Sequence, residues 1–130
     1  MVTSAIELES ARATDVSLSE DCLTVDLADG RSISVPLLWY PRLSYANAQE
    51  RGYWELIGDG LGIHWPDLDE DISIESLLVG RRSGESQRSL KRWLDAKREG
   101  RPLTLDALRE HERHERHERQ ERQERQERGD

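Results

Sequence analysis

The sequence is short of the residues that most often announce a chemistry. Among its 130 residues there is one cysteine, one methionine and no phenylalanine. A single cysteine excludes an internal disulfide and any C-x-x-C zinc pattern. Cys22 stands where an apolar strand begins, so the expected role is a small buried hydrophobe with an inert thiol. No stretch approaches the roughly 18 consecutive apolar residues that a bilayer span needs, and the first ten residues have neither a basic run nor a long apolar run. A cytoplasmic protein without membrane association is expected. Outside the tail the only histidine is His64. No Ser, Cys or Lys has a plausible base beside it, and the Gly58-Asp59-Gly60-Leu61-Gly62 run lacks the helix that must follow a phosphate loop. No catalytic residue, no cofactor and no metal site are therefore expected, and the chain reads as a non-enzyme.

Charge is abundant but unevenly placed. The net charge is −8. Residues 1–80 hold fifteen Asp and Glu against four Arg, a balance of −11; residues 81–109 hold nine basic and four acidic groups, a balance of +5; residues 110–130 stand at −2. An acidic body followed by a basic helix disfavours nucleic-acid binding by the body and leaves it open for the helix.

The rings are concentrated. Residues 35–72 contain three of the four Trp and all three Tyr. Large aromatic side chains dominate core and interface energetics, so this stretch must supply the core, a contact surface or both. Ahead of it, residues 15–35 alternate apolar and polar: Val16 and Leu18, then Leu23, Val25 and Leu27, then Ile33 and Val35. Alternation with breaks at 19–21 and at Ala28-Asp29-Gly30 predicts a three-strand antiparallel meander. Pro36 closes the third strand, Pro41 permits a helical turn after it, and Asn47 can cap a second short helix ending at Gly52. Residues 53–57 and 61–65 predict a second, two-strand hairpin across Gly58-Asp59-Gly60.

Asp71 or Ser73 is expected to cap a short helix bearing Ile74, Leu77 and Leu78, stopped by Gly80. Ser83 is expected to cap a longer basic helix to Arg98 with Leu90, Trp93, Leu94 and Lys97 along one side, stopped by Gly100 and Pro102. Thr104 can cap a last helix that runs into three His-Glu-Arg and three Gln-Glu-Arg triplets, a solvated, fraying helix or a disordered tract. The fold expected is one α+β domain over residues 13–80, with a flexible arm at 1–12, a basic amphipathic helix at 81–101 and a charged low-complexity tail at 102–130.

Three surfaces are candidates for function. Trp39, Tyr40, Trp54 and Trp65 with Arg42 and Arg51 have the composition of a protein-binding hot spot, set against a packed core with Arg stems lying over the rings, since a sheet this small needs some of the rings inside. His64, Asp67 and Asp69, with Glu70 and Asp71, form the densest polar cluster. One imidazole without a second, and without EF-hand spacing, favours helix capping over metal binding or catalysis. Arg81, Arg82, Arg88, Lys91 and Arg92 are the set a nucleic acid would meet, against the commoner role of a solvated helix face.

A resemblance completes the picture. The run from Asp29 to Leu43, with Val35-Pro36-Leu37 and Trp39-Tyr40-Pro41 inside it, is similar to the domain-of-unknown-function 2442 family of small bacterial proteins. So are Glu50-Arg51, Trp54, Gly58, the segment Gly62-Ile63-His64-Trp65-Pro66-Asp67-Leu68-Asp69-Glu70-Asp71, and Leu77-Leu78. The similarity covers about residues 13–80, the 83–94 helix resembles an extension of longer members, and the triplet tail lies outside the pattern. The resemblance implies a compact α+β domain without established activity. Some relatives join it to a helix-turn-helix, and some members lie beside another short protein in arrangements like those of toxin–antitoxin pairs. The expected function is thus a protein-interaction module for another small protein, antitoxin-like, with a DNA-binding regulator using the basic helix as the alternative.

Overall fold

The computed structural model describes residues 11–128. The chain divides into two compact units, residues 1–84 and residues 85–130.

The first unit is built on two three-stranded antiparallel sheets. Strands β1 (Ala13–Leu18), β2 (Cys22–Leu27) and β3 (Ser32–Pro36) form the expected meander in the order β1-β2-β3. Val16 pairs with Val25, and Leu23 pairs with Val35, so the apolar positions share one face. Leu23 and Val25 are wholly buried. The opposite face is hydroxyl-rich: Thr24 and Ser34 share a hydrogen bond across the pair (2.8 Å), and the Ser32 hydroxyl donates to Asp26 (2.7 Å). Cys22 lies on that outer side and is exposed, not buried. The alternation explains it: with Leu23, Val25 and Leu27 facing inward, Cys22 joins Thr24 and Asp26 outside.

A 3₁₀ turn (Leu37–Trp39) leads to two one-turn helices, α1 (Pro41–Ser44) and α2 (Ala48–Gly52). Asn47 caps α2 in a reciprocal capping box with Glu50, whose backbone N–H donates to Asn47 Oδ1 (2.8 Å) while the Asn47 N–H donates to Glu50 Oε1 (2.9 Å). The second sheet, in the order β4-β5-β6, holds β4 (Glu55–Ile57), β5 (Gly62–Trp65) and β6 (Glu70–Ser73). The expected two-strand hairpin thus gains a third strand, formed by residues expected to lead into a helix. Ser73 ends β6 and caps α3 (Ile74–Leu78), its hydroxyl accepting from the Ser76 N–H (3.1 Å).

Ile63, Trp65 and Ile72 point to one side of the second sheet and are buried, as are Leu43, Leu68, Ile74 and Leu77. Most of the arm expected over residues 1–12 lies outside the described residues. Ala11 is buried, and the Arg12 guanidinium donates to the Asp59 carbonyl (3.1 Å), so the last two residues of that stretch are held.

The second unit holds two helices, α4 (Gln87–Arg98) and α5 (Leu105–Arg128). The cap of α4 is Ser86, three residues later than expected: its hydroxyl accepts from the Ser89 N–H (3.1 Å), and residues 81–86 form neither helix nor strand. Gly100, at φ +70°, ends the turn after α4. Thr104 caps α5 as expected, its hydroxyl accepting from the Ala107 N–H (3.3 Å). The triplet repeats continue this helix to Arg128. Among the described residues no helix is long and apolar enough to cross a membrane.

Candidate interaction surface

The polar cluster at residues 64–71 is a hairpin, not a site at which its groups converge. His64 sits on the outer side of β5, opposite Glu55 of β4 and Asp71 of β6. Its Nδ1 meets Asp71 Oδ1 at 2.5 Å. Asp67 is exposed at the tip, while Leu68 beside it turns inward and is fully buried. Asp69 adopts φ +51°, in the left-handed region, and its carbonyl accepts from Arg42 (2.8 Å). Of the carboxylates expected to favour a helix N-terminus, Asp67 and Asp69 instead lie in a strand-to-strand turn and Glu70 and Asp71 in β6. Among the described residues no group of three or more His, Cys, Asp or Glu is arranged to hold a metal ion.

The two arginines of the expected hot spot brace the backbone. Arg51 donates from Nε to the Leu43 carbonyl and from a terminal nitrogen to the Ser44 carbonyl, both at 2.9 Å, which satisfies the open C-terminal end of α1. The Arg51 carbonyl in turn accepts from the Trp65 indole N–H (3.0 Å). Trp65 is fully buried and Tyr40 nearly so, which removes both from any contact surface. Their position follows from the strand register in one case and the turn in the other. Trp65 alternates with Ile63 on the inner face of β5, and the Tyr40 hydroxyl reaches the Arg81 carbonyl (2.9 Å). Burial, and secondarily the charge of Glu70, raises the Tyr40 pKa above its ordinary value of 10.

Trp39 and Trp54 are the two rings of the set that remain half-buried. The Trp39 face carries the Arg82 guanidinium 4.9 Å from the ring centroid, and the Ser83 N–H donates to the Trp39 carbonyl (2.9 Å). Leu38 beside it is 80% exposed. Trp54 borders a shallow cavity of about 300 Å³ between β1 and α2, whose walls include Val16, Leu18, Ala48 and Arg51. β1 is an edge strand, so this cavity opens beside an unpaired strand edge of the first sheet. Sequence reasoning passed over Leu18 and Ala48. Only their exposure at a joint between two elements distinguishes them, and no local pattern records that.

In the second unit several side chains of the basic helix are engaged by acidic groups that each serve more than one cation. Glu112 of α5 accepts hydrogen bonds from Arg88, from Arg92 (2.8 Å) and from Arg116 (2.7 Å). Lys91 pairs with Asp95 (3.4 Å). Of the five residues a nucleic acid was expected to meet, Arg88, Lys91, Arg92 and Arg82 are thus engaged within the chain, and Arg81 presents an exposed side chain. Glu112 matters structurally, because its carboxylate ties α4 to the first turns of an otherwise solvated helix.

The three guanidiniums hold the Glu112 pKa down from 4.5 to about 2. A depressed carboxylate pKa contributes stability that is present above the ordinary value and is lost as pH falls through the folded one. Acid titration should therefore remove Glu112-dependent helicity between about pH 4.5 and pH 2. Circular dichroism at the helix band checks this against Glu112→Gln, which should lack that component. Identical acid profiles would show that the cluster does not hold the helices.

The comparisons with known proteins place this architecture. A protein of unknown function from Rhodospirillum rubrum ATCC 11170, solved by crystallography, is 28% identical; the match covers 59% of this chain and 95% of that one, with a TM-score of 0.52. An uncharacterized protein from Chromobacterium violaceum, solved by NMR, shares the fold at 24% identity over 67% of this chain and 80% of that one, with a TM-score of 0.53. The curated proteins include no match. The family model described as "Protein of unknown function (DUF2442)" matches residues 13–83, which span the two-sheet unit from the first residue of β1 to the Ser83 contact with Trp39, and the chain belongs to that family.

Proposed function

We propose that the two-sheet unit is a non-enzymatic protein-interaction module, and that its partner is another small protein that places an apolar side chain in the Trp54 cavity. The observation that carries this is the cavity itself: a notch large enough for one or two side chains, walled by Val16, Leu18 and Ala48, with a half-buried tryptophan at its edge. Tryptophan is among the residues enriched at the anchor positions of protein interfaces. The charge of the unit indicates the partner's character. Residues 1–84 hold fifteen acidic groups and six arginines, so a basic partner is attracted and an acidic one repelled. With the two-gene arrangement that the family resemblance implies, the finer form of the proposal is an antitoxin-like role: the module covers a basic neighbour and holds it inactive.

Ala48→Glu tests the proposal. It places a carboxylate in the notch at the first turn of α2, where negative charge is tolerated, so the fold should survive. Wild-type protein co-expressed with the product of the adjacent gene should co-purify with it. The variant should lose about 1–3 kcal/mol of that affinity, since an unpaired charge would be buried at the contact. No complex with the neighbour, or a complex equally tight with the variant, would refute this assignment.

A further inference from the structure

The second unit carries a cavity that has no part in the proposed interaction. It lies along α4 and the start of α5, has a volume of about 580 Å³, and is lined by Arg88, Arg92, Arg109, Arg113 and Arg116. Three carboxylates, Asp106, Glu110 and Glu112, share the lining, so cations exceed anions there by two. Glu112 is the acceptor for three of the arginines. One carboxylate neutralises one guanidinium, and the remaining charge has no further partner within that cluster. Arg109 and Arg113, four apart on α5, make no side-chain hydrogen bond or ion pair among the described residues. Arg92 is 21% exposed, and its Nε is buried without an acceptor.

We propose that this cavity binds a compact anion with two or more negative charges, of the pyrophosphate or phosphate-ester class, held chiefly by Arg109 and Arg113. Guanidinium forks match phosphate oxygens in pairs, which a point charge does not. The size of the ligand follows from the sequence. Positions 109, 113 and 116 follow one face of α5, and the positions that continue that face are Gln120, Gln123 and Glu127. The positive face therefore ends within three turns. Beyond Arg116 that face carries two glutamines and a glutamate and no further arginine, so a long polyanion finds no continuing row of cations, whereas a compact one is met by the arginines gathered at the cavity.

Isothermal titration of the full chain with inorganic pyrophosphate at low salt tests this. One saturable site is expected, and Arg109→Gln with Arg113→Gln should weaken it about tenfold or more with helicity unchanged. Arg122→Gln with Arg125→Gln removes the same charge farther along the helix and should leave binding near wild type. No binding, equal weakening by both pairs, or binding of a short DNA duplex with none of pyrophosphate would each overturn the proposal. Because these changes lie in residues 85–130, their outcome is separate from that of the Trp54 cavity.

Discussion

Replacing Trp65 with alanine should destabilise the two-sheet unit by about 3–5 kcal/mol, enough to consume much of the stability of a domain this size. Trp65 is fully buried on the inner side of the second sheet, the side that Ile63 and Ile72 share. Truncation removes the largest apolar contribution to that core and leaves a cavity that rigid strands on either side cannot close. It also removes the indole N–H from the Arg51 carbonyl, at the same α2 terminus from which the Arg51 side chain braces α1. Trp65→Phe separates the two effects. It retains most of the ring and deletes the hydrogen bond, so about 1–2 kcal/mol is expected. Denaturant midpoints for the three proteins measure both, and a midpoint for the alanine variant equal to wild type would remove Trp65 from the core.

Gly60→Ala should rival that loss through backbone contact. Gly60 has φ +88°, and a Cβ there would lie 2.6 Å from the Ala13 carbonyl oxygen and 3.2 Å from the Ala13 nitrogen. The turn before β5 thus lies directly against the start of β1, and both obstructing atoms are backbone. Relief requires moving a strand end, with an expected cost of about 3 kcal/mol or more. Gly30→Ala is the matched control. Its φ is +94°, but nothing lies within 4 Å of the added carbon, so only the left-handed conformational penalty of about 1–2 kcal/mol applies. Equal midpoints for the two variants would show that the close approach between turn and strand is absent in solution.

Much of the fold was legible wherever local signals agree. The β2 and β3 alternation, the Asp29-Gly30 turn, the Asn47 cap and the Thr104 cap all appear at the expected positions, because each depends on residues within a few positions of one another. β6 was not legible. Glu70 and Asp71 have poor strand propensity, and the segment is a strand because β5 supplies its hydrogen-bonding partner. The expected site fared similarly. A sequence lists Arg42, Arg51, Tyr40 and Trp65 as candidate contacts, and only their neighbours show that two cap carbonyls and two fill the interior. Of the Glu112 cluster only the four-residue spacing to Arg116 was legible, and the repeat offers that spacing many times; Arg88 and Arg92 on the helix before it are what distinguish this glutamate.

By itself the sequence determined the α+β class, the first meander, most helix caps, the acidic body and the family, since periodicity, turn residues and charge act over short spans. Tertiary structure alone decided which tryptophans are buried, that the acidic residues 70–71 open a third strand, and which one of the tail's glutamates gathers three arginines. Those outcomes depend on groups far apart in the chain, whose desolvation and hydrogen bonding are set only when the strands and helices meet.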